Sequence, residues 1–524
     1  MHFQVMTKPS GALCNLRCTY CFYTEKENLY NGQAQFRMAP ELLESFVRQY
    51  IDCQDTAEVQ FAWQGGEPTL LGVDYFESVV SLQQKYSAGI KVTNTIQTNG
   101  TLLTDDWCKF FKKNDFLVGL SIDGPQELHD KYRIKGNGTP TFDAVMSGLA
   151  LLKKHKVSFN ILTVVNDQNS LQPLEVYKFL KRIGDGHIQF IPAVERLPED
   201  TDENLGLHLA LPPFTGDVNG KLRITPWSVL PERLAEFYIS IFDQWLRNDV
   251  GTVFVQFFDV ALGNWLGAGS GLCHFSPTCG TGGALEFNGD LYSCDHYVYP
   301  QHNLGNIMET PLLELMASEK QGGFGSAKLE SLPECCKVCE VLTACHGDCP
   351  KHRFVRTPAE GPCVSYLCKA YKRIFIHMAP YLSVMADLLQ SGRPAQDIME
   401  ILKQHEIEKR SAAPGRNTLC PCAVVENTNG AAGLHQNNRS LYTKGTVVMS
   451  ESFVKQKRCC SRIIAIIMAC LFFASQGKRN RTPRHQSNRT KNWISIIPGQ
   501  SPRDLRKTAS KRNIFFSFRA WTES

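Results

Sequence analysis

The chain has 524 residues, of which 43% are hydrophobic and 20% are charged, so it can form two or three folded domains with a large core. Its net charge of +5 is unevenly distributed, since residues 451–524 carry 16 Lys and Arg against 3 Asp and Glu, and the rest of the chain is mildly acidic. The net charge therefore says nothing about the function of the main body, and we expect no nucleic acid as a partner. The first residues lack the basic and apolar stretches of a signal peptide, so we expect a cytoplasmic protein with reduced cysteines.

Strands and helices alternate in the first part of the chain. Strands are predicted at residues 3–8, 59–63, 91–98, 116–122, 157–165 and 187–192. Helices are predicted at residues 40–52, 74–87, 104–114, 142–155 and 171–183. This alternation predicts a parallel sheet with right-handed crossover connections. In such sheets the functional residues gather at the carboxyl ends of the strands.

Three closely spaced cysteines, Cys14, Cys18 and Cys21, follow the first predicted strand with the pattern C-x3-C-x2-C. Thiolates are soft ligands that suit iron–sulfur clusters and zinc. A structural zinc ion takes four protein ligands, whereas three ligands on a four-iron cluster leave one iron open to a small molecule. The spacing favours such a cluster, and a zinc knuckle with a distant fourth ligand is the alternative.

A second group of cysteines lies between residues 273 and 368. Eight of them form a pattern: Cys273, Cys279, Cys294, Cys336, Cys339, Cys345, Cys349 and Cys368. Asn288-Gly289, between two short apolar runs, predicts a β-hairpin that holds Cys294 in place. Eight ligands suffice for two fully ligated clusters, and a pair of zinc ribbons is the alternative. Four other cysteines fit no set and are interpreted as inert buried thiols: Cys53, Cys108, Cys335 and Cys363.

These motifs resemble those of a known superfamily. The first pattern, with Tyr20 before its last cysteine, resembles the radical S-adenosylmethionine (radical SAM) superfamily, and the second resembles its SPASM extension. Within that group the chain resembles the anaerobic sulfatase-maturating enzymes along residues 1–375. The matching segments are residues 14–23, 64–70, 97–100, 121–124, 189–192, 294–295 and 349–353. The resemblance implies an α/β fold with a partial (β/α)6 radical SAM barrel, followed by a Cys-rich SPASM domain that contains the hairpin.

The resemblance also implies the cofactors, which are three [4Fe-4S] clusters and S-adenosylmethionine (SAM). The SAM-cleaving cluster would be held by Cys14, Cys18 and Cys21. One auxiliary cluster would be held by Cys273, Cys279, Cys294 and Cys349, and the other by Cys336, Cys339, Cys345 and Cys368. Residues at positions that match SAM contacts are Tyr20, Gly65, Gly66, Ser121, Arg133 and Val194.

The implied activity is the oxygen-independent oxidation of a sulfatase Cys or Ser to Cα-formylglycine. Asp295, next to Cys294, would be the general base, although an Asp that only stabilises the hairpin is the alternative. The substrate would be a sulfatase polypeptide with the motif Cys/Ser-x-Pro/Ala-x-Arg, and the electron donor reduced flavodoxin or ferredoxin. Two other functions stay open. One is a SPASM enzyme that forms thioethers or cross-links, and the other is a non-enzymatic metal-binding protein.

The predicted domains follow these motifs. They are residues 1–230 for the barrel, 231–272 for a helical connection, 273–375 for the SPASM domain, 376–410 for C-terminal helices and 411–524 for an atypical basic tail. Residues 371–409 read as helical. The tail begins with Cys420-Pro-Cys422, the start of a broken SEC-C-like motif, so we expect no zinc there and a largely disordered segment. Its apolar run at 463–474 is too short to span a bilayer, so no membrane partner is expected.

Overall fold

The computed structural model describes residues 3–30, 36–198, 200–213, 223–356 and 362–412. The chain divides after Lys403, and the residues described before that point belong to one compact unit. The predictions for the basic tail beyond residue 412 lie outside the described residues. In the part of the chain that is described, no helix is long and apolar enough to cross a membrane.

Ten strands form one continuous sheet, and two more form a small hairpin. The strands are β1 (Gln4–Lys8), β2 (Glu58–Trp63), β3 (Lys91–Thr98), β4 (Phe116–Ser121), β5 (Phe159–Val165), β6 (His187–Pro192), β7 (Phe254–Val255), β8 (Gly282–Glu286), β9 (Asp290–Tyr292), β10 (Asn303–Asn306), β11 (Arg353–Val355) and β12 (Val364–Ser365).

Helices fill most of the connections between these strands. The helices are α1 (Pro40–Asp52), α2 (Val73–Tyr86), α3 (Asp105–Lys113), α4 (Gln126–Asp130), α5 (Phe142–Lys154), α6 (Pro173–Ile183), α7 (Asp200–Glu203), α8 (Pro231–Asn248), α9 (Gln256–Trp265), α10 (Leu312–Met316), α11 (Glu319–Glu330), α12 (Glu334–Lys337), α13 (Leu342–Cys345), α14 (Cys368–Gln390) and α15 (Asp397–Ala412).

Strands β1 to β6 pair in chain order and are all parallel, as the sequence predicts. Each begins and ends within two residues of its predicted limits. Helix α1 starts with Pro40, and its buried residues recur every three to four positions, which turns one apolar face toward the sheet. The carboxyl ends of the six strands consequently meet at one edge, where the cysteine loop begins.

The predicted hairpin extends this sheet, which sequence reasoning did not foresee. Strand β8 pairs in parallel with β1, from Gln4 opposite Gly282 to Lys8 opposite Glu286. Strands β9 and β10 then continue the sheet in antiparallel pairs. The pairing of β1 with β8 fixes the end of the hairpin beside the end of the first barrel strand.

The helical segment predicted at 371–409 is interrupted. Helix α14 ends at Gln390, and α15 starts at Asp397. Gly392 between them has a φ of +77°, which glycine adopts without strain, and Pro394 cannot continue a helix. The segment predicted as helical therefore forms two helices, α14 and α15. Helix α14 packs against α8, whose aromatic residues are buried.

Candidate active site

The loop of Cys14, Cys18 and Cys21 is anchored to its neighbours by main-chain hydrogen bonds. Gly66 N donates to Gly11 O over 2.8 Å, and Arg17 N donates to Ile134 O over 2.8 Å. Thr19 N donates to Tyr132 O over 3.0 Å. These bonds tie the loop to the segments that follow β2 and β4. The three thiols are thereby held at the carboxyl edge of the sheet.

Gly65 and Gly66 allow this close approach. Gly65 has a φ of +127°, and a Cβ on Gly66 would overlap the carbonyl oxygen of Leu13. The family resemblance implies that these glycines contact SAM. The structure places the cysteine loop itself against them, and their contact with SAM stays a prediction.

The chemistry of the three thiols fits cluster ligation. Burial, together with the nearby Cys21, raises the pKa of Cys14 to about 11 and that of Cys18 to about 12. The thiols therefore lie within electrostatic reach of one another, at a place where free thiolates are unfavourable. A metal cluster offsets this cost because its ligands bind as thiolates.

Tyr20 and Arg133 meet at a carboxylate that sequence reasoning did not select. The Tyr20 hydroxyl donates to Asp123, and Arg133 Nε lies 3.2 Å from Asp123 Oδ2. Arg133 is buried, with its guanidinium 5.6 Å from the Tyr20 ring centroid. Asp123 begins the Asp-Gly-Pro turn that follows β4. This turn marks the end of the strand in the sequence and could have pointed to Asp123.

The two remaining residues predicted to contact SAM are Ser121 and Val194. The Ser121 hydroxyl accepts a hydrogen bond of 2.9 Å from Gln97 Nε2 at the ends of β4 and β3. Val194 follows β6 and packs in the hydrophobic core. Their roles in SAM binding stay predictions.

The first predicted auxiliary set is brought together by the fold. Burial raises the pKa of Cys294, and Cys273, Cys349 and Cys279 each raise it further, so the four thiols lie close to one another. The Lys328 ammonium, which is fully buried, donates to the carbonyl oxygen of Cys273 over 2.7 Å. A lysine at this point offsets the negative charge of a thiolate-bound cluster.

The second predicted auxiliary set also converges. Burial, together with the nearby Cys368, raises the pKa of Cys336 and that of Cys345 to about 12. Cys339 in turn raises the pKa of Cys368. No three His, Cys, Asp or Glu side chains among the described residues converge on the position of a single metal ion. Multi-iron clusters, whose ligands stand at separate corners, fit these sets of thiols.

The interpretation of Cys335 as a buried thiol is wrong. Cys335 is exposed and Cys53 partly so, whereas Cys108 and Cys363 are buried as predicted. The physical reason is that α12, which carries Cys335, buries none of its residues.

A sharp turn directs Cys345 and Cys349 toward different sets. Three consecutive residues in this turn, 346–348, have positive φ values. Arg353, which is 1% exposed, donates to the carbonyl oxygens of Gly347 over 2.9 Å and of Lys328 over 2.6 Å. Sequence reasoning quoted Arg353 within a motif and assigned it no role. Its bonds hold the turn between the two thiol sets.

Asp295 is buried beside Cys294 and forms an ion pair with Lys8. The Lys8 ammonium, itself 1% exposed, also donates to Gln64 Oε1 over 2.8 Å and lies 4.6 Å from the centroid of the Tyr23 ring. Burial alone would raise the pKa of Asp295, but Lys8 and other nearby cations hold it below its usual value. The carboxylate is therefore ionised at neutral pH and can accept a proton.

Two further charged residues that sequence reasoning missed surround this pair. Burial lowers the pKa of Lys26 to about 8, and its ammonium lies 3.8 Å from the centroid of the Tyr299 ring. Burial raises the pKa of Glu286 to about 7, and Glu286 accepts a hydrogen bond from the Tyr23 hydroxyl. The pairing of β1 with β8 brings Glu286 opposite Lys8, and no local motif marks Lys26 or Glu286.

The interior of the barrel holds a cavity. It is lined from β2 to β6 and includes the amide side chains of Gln60, Gln64, Gln97, Asn160 and Gln189. Gln64 both lines this cavity and accepts the hydrogen bond from Lys8. Lys8, the ion-pair partner of Asp295, therefore contacts a residue of the cavity wall, and that wall carries no charged side chain.

Comparison with known proteins agrees with this geometry. Residues 9–180 match the radical SAM superfamily, and residues 279–340 match the SPASM iron–sulfur cluster-binding domain. A serine-type anaerobic sulfatase-maturating enzyme of Bacteroides thetaiotaomicron is 47% identical over 404 residues, which cover 77% of this chain and 96% of the relative. A cysteine-type enzyme of Clostridium novyi is 32% identical over 388 residues, or 74% of this chain and 97% of the relative.

Solved structures show the same likeness. Native anSMEcpe with bound AdoMet is 33% identical, with a TM-score of 0.64, and the match covers 73% of this chain and 99% of that one. Native anSMEcpe with bound AdoMet and the Cp18Cys peptide is also 33% identical, with a TM-score of 0.64, over 74% of this chain and 99% of that one. The chain therefore belongs to the anaerobic sulfatase-maturating enzymes of the radical SAM superfamily.

Proposed function

We propose that this protein oxidises a Cys or Ser side chain of a sulfatase polypeptide to Cα-formylglycine without oxygen. The observation that carries the proposal is the buried Asp295, ionised beside Lys8, whose ammonium also donates to Gln64 of the cavity wall. When bound, SAM and three [4Fe-4S] clusters supply the deoxyadenosyl radical that removes hydrogen from the substrate Cβ and a path for the remaining electron. The protein itself has to position the substrate and remove one proton.

Asp295 performs the proton removal. Its carboxylate accepts the proton of the substrate thiol or hydroxyl, and the lowered pKa keeps it in the accepting form at neutral pH. Lys8 holds the carboxylate in place through the ion pair and is itself held by Gln64. Because Lys8 belongs to β1 and Asp295 follows β9, the base is fixed by the rigid sheet.

The cavity suits a chain segment of the substrate. Its amide side chains donate and accept hydrogen bonds, as a peptide main chain requires. They carry no charge, so they form no ion pair with the arginine of the substrate motif. The substrate is a polypeptide with Cys/Ser-x-Pro/Ala-x-Arg. The structures of anSMEcpe with bound peptides support a peptide substrate. Reduced flavodoxin or ferredoxin is the proposed electron donor, and the cytoplasm the proposed location.

The residue assignments form part of the proposal. The SAM-cleaving cluster is held by Cys14, Cys18 and Cys21, and the two auxiliary sets hold the other clusters. SAM is contacted by Tyr20, Gly65, Gly66, Ser121, Arg133 and Val194. The domain limits at residues 230, 272, 375 and 410 are likewise proposed.

The alternative functions are not favoured by the comparisons. The curated relatives that match most of the chain are named sulfatase-maturating enzymes of the serine or cysteine type. A thioether- or cross-link-forming activity and a non-enzymatic metal-binding role both lack such support.

Anaerobic incubation with SAM, dithionite and a peptide carrying the motif tests the function. The expected product is an aldehyde that reacts with a hydrazide probe and is detected by mass spectrometry. A serine peptide and a cysteine peptide are assayed side by side, with an alanine peptide as the matched control. A modified peptide that does not react with the probe would point to a thioether or cross-link and would refute the proposal.

A further inference from the structure

Asp123, directly after β4, is fully buried and held in place on all sides. Asn169 Nδ2 donates to the Asp123 carbonyl oxygen over 3.1 Å, and the Asp123 main-chain N–H donates to His129 Nδ1 over 3.4 Å. Val164 N, on the neighbouring strand β5, donates to Asp123 Oδ1 over 3.0 Å. These bonds fix the direction in which the second carboxylate oxygen, Oδ2, points.

Asp123 Oδ2 holds two residues that are proposed to contact SAM. It accepts the hydrogen bond from the Tyr20 hydroxyl, and it lies 3.2 Å from Arg133 Nε. Among the described residues, no acceptor other than Asp123 takes a hydrogen bond from the buried Arg133 guanidinium. The remaining N–H groups of Arg133 are therefore free for an anionic group, and the carboxylate of SAM fits this requirement.

We propose that Asp123 is a positioning residue that orients Tyr20 and Arg133 for SAM. Both of its carboxylate oxygens are used by protein donors, so Asp123 acts through these two residues and does not itself contact SAM. Fixing the ring and the guanidinium before SAM arrives lowers the entropy that binding has to remove. The inference rests on the proposed assignment of Tyr20 and Arg133 as SAM contacts.

Asp123→Asn should disrupt this arrangement without changing the volume of the side chain. If the amide oxygen accepts from Val164 N, the amide nitrogen faces the Tyr20 hydroxyl and Arg133 Nε, which are both donors. If the amide is reversed, its nitrogen faces Val164 N–H instead. Neither orientation of the amide satisfies all three donors, so Tyr20 and Arg133 should lose their fixed positions.

Equilibrium dialysis of radiolabelled SAM against the anaerobically reconstituted full chain measures the effect. Asp123→Asn should raise the Kd for SAM roughly 10–100-fold, which is the value of one hydrogen bond to a charged group. The iron content and the affinity for the sulfatase-motif peptide should stay at the wild-type level. The Kd is measured without turnover, so the result does not depend on which product the protein forms.

Asp249→Asn is the matched control. Asp249 is also buried, accepts a hydrogen bond of 2.8 Å from the Tyr177 hydroxyl and forms an ion pair with Lys181. It lies near the ends of α6 and α8, just before β6 and β7 begin, and thus at the edge of the sheet opposite to the cysteine loop. Asp249→Asn should lower the unfolding temperature, followed by circular dichroism, and keep the wild-type Kd for SAM.

Tyr20→Phe separates positioning from direct contact. The hydroxyl has a single proton, which it donates to Asp123. Tyr20→Phe should therefore weaken SAM binding in the wild-type chain but cause no further loss in Asp123→Asn, whereas a hydroxyl that contacts SAM directly would cause the same loss in both. That second result would contradict the inference.

The remaining outcomes are equally decisive. Wild-type affinity in Asp123→Asn, or an equal loss of affinity in Asp249→Asn, would overturn the inference. If Asp123→Asn does not fold, Tyr20→Phe decides, because it leaves no unpaired charge, and wild-type affinity in that variant would overturn the inference. Unchanged affinity in Arg133→Gln would show that the assignment of SAM contacts is wrong, and the inference would fail with it.

Discussion

Asp295→Asn should separate radical formation from product formation. Asn has nearly the shape of Asp, so the adjacent Cys294 should keep its position, but the amide cannot accept a proton at neutral pH. Loss of a positioned base typically costs ~10²–10⁴ in rate. This loss corresponds to roughly 3–5 kcal/mol of activation free energy. SAM cleavage involves the clusters and not this carboxylate, so 5′-deoxyadenosine should still form.

The same substitution leaves the Lys8 ammonium buried without its partner. Breaking one side of a buried ion pair costs about 3–5 kcal/mol of stability. The double variant Lys8→Met/Asp295→Asn removes both charges and should recover most of this stability, but it should not recover the activity. The double variant therefore distinguishes a lost base from a damaged fold.

The assay measures 5′-deoxyadenosine by chromatography and formylglycine by mass spectrometry in the same anaerobic reaction. The ratio of 5′-deoxyadenosine to formylglycine should rise by ~10²–10⁴ in Asp295→Asn. An unchanged ratio, with product formed at the wild-type rate, would leave Asp295 as a hairpin residue and refute its role as the base.

Three further predictions address other parts of the chain. Replacement of Cys14, Cys18 and Cys21 together by Ala should abolish SAM cleavage and leave about eight irons on the auxiliary sites; release of 5′-deoxyadenosine by this variant would show the assignment to be wrong. Truncation after Ala412 should preserve folding and turnover, because the sequence beyond it lacks periodicity; loss of soluble protein or of turnover would contradict this. The raised pKa of Glu286, about 7, means that the folded state favours its protonated form, so its contribution to stability is lost as pH rises from about 4.5 to about 7. Glu286→Gln should therefore raise the unfolding temperature relative to wild type at pH 8 but not at pH 4.5, and equal differences at both pH values would count against a buried neutral carboxyl.

The six barrel strands and the cysteine sets could be predicted because their signals are local. Alternating apolar and β-branched runs define each strand, and short cysteine spacings define each ligand set. The break in the helix after Gln390 can also be predicted from the sequence, because Gly392 and Pro394 lie where the helix ends.

The contact between Lys8 and Asp295 could not be predicted in the same way. It depends on the parallel pairing of β1 with β8, two strands separated by more than 270 residues. Pairing over such a distance leaves no pattern within a single sequence. The exposure of Cys335 escaped prediction for a different reason, because a free cysteine is most often buried and only the short, unpacked helix α12 sets it apart.

Isotope transfer tests the central claim most directly. A sulfatase-motif peptide is deuterated at the Cβ of its target Ser or Cys and incubated anaerobically with the protein, SAM and dithionite. The account predicts that 5′-deoxyadenosine gains one deuterium while the peptide gains an aldehyde. Unlabelled 5′-deoxyadenosine formed along with a modified peptide would contradict it.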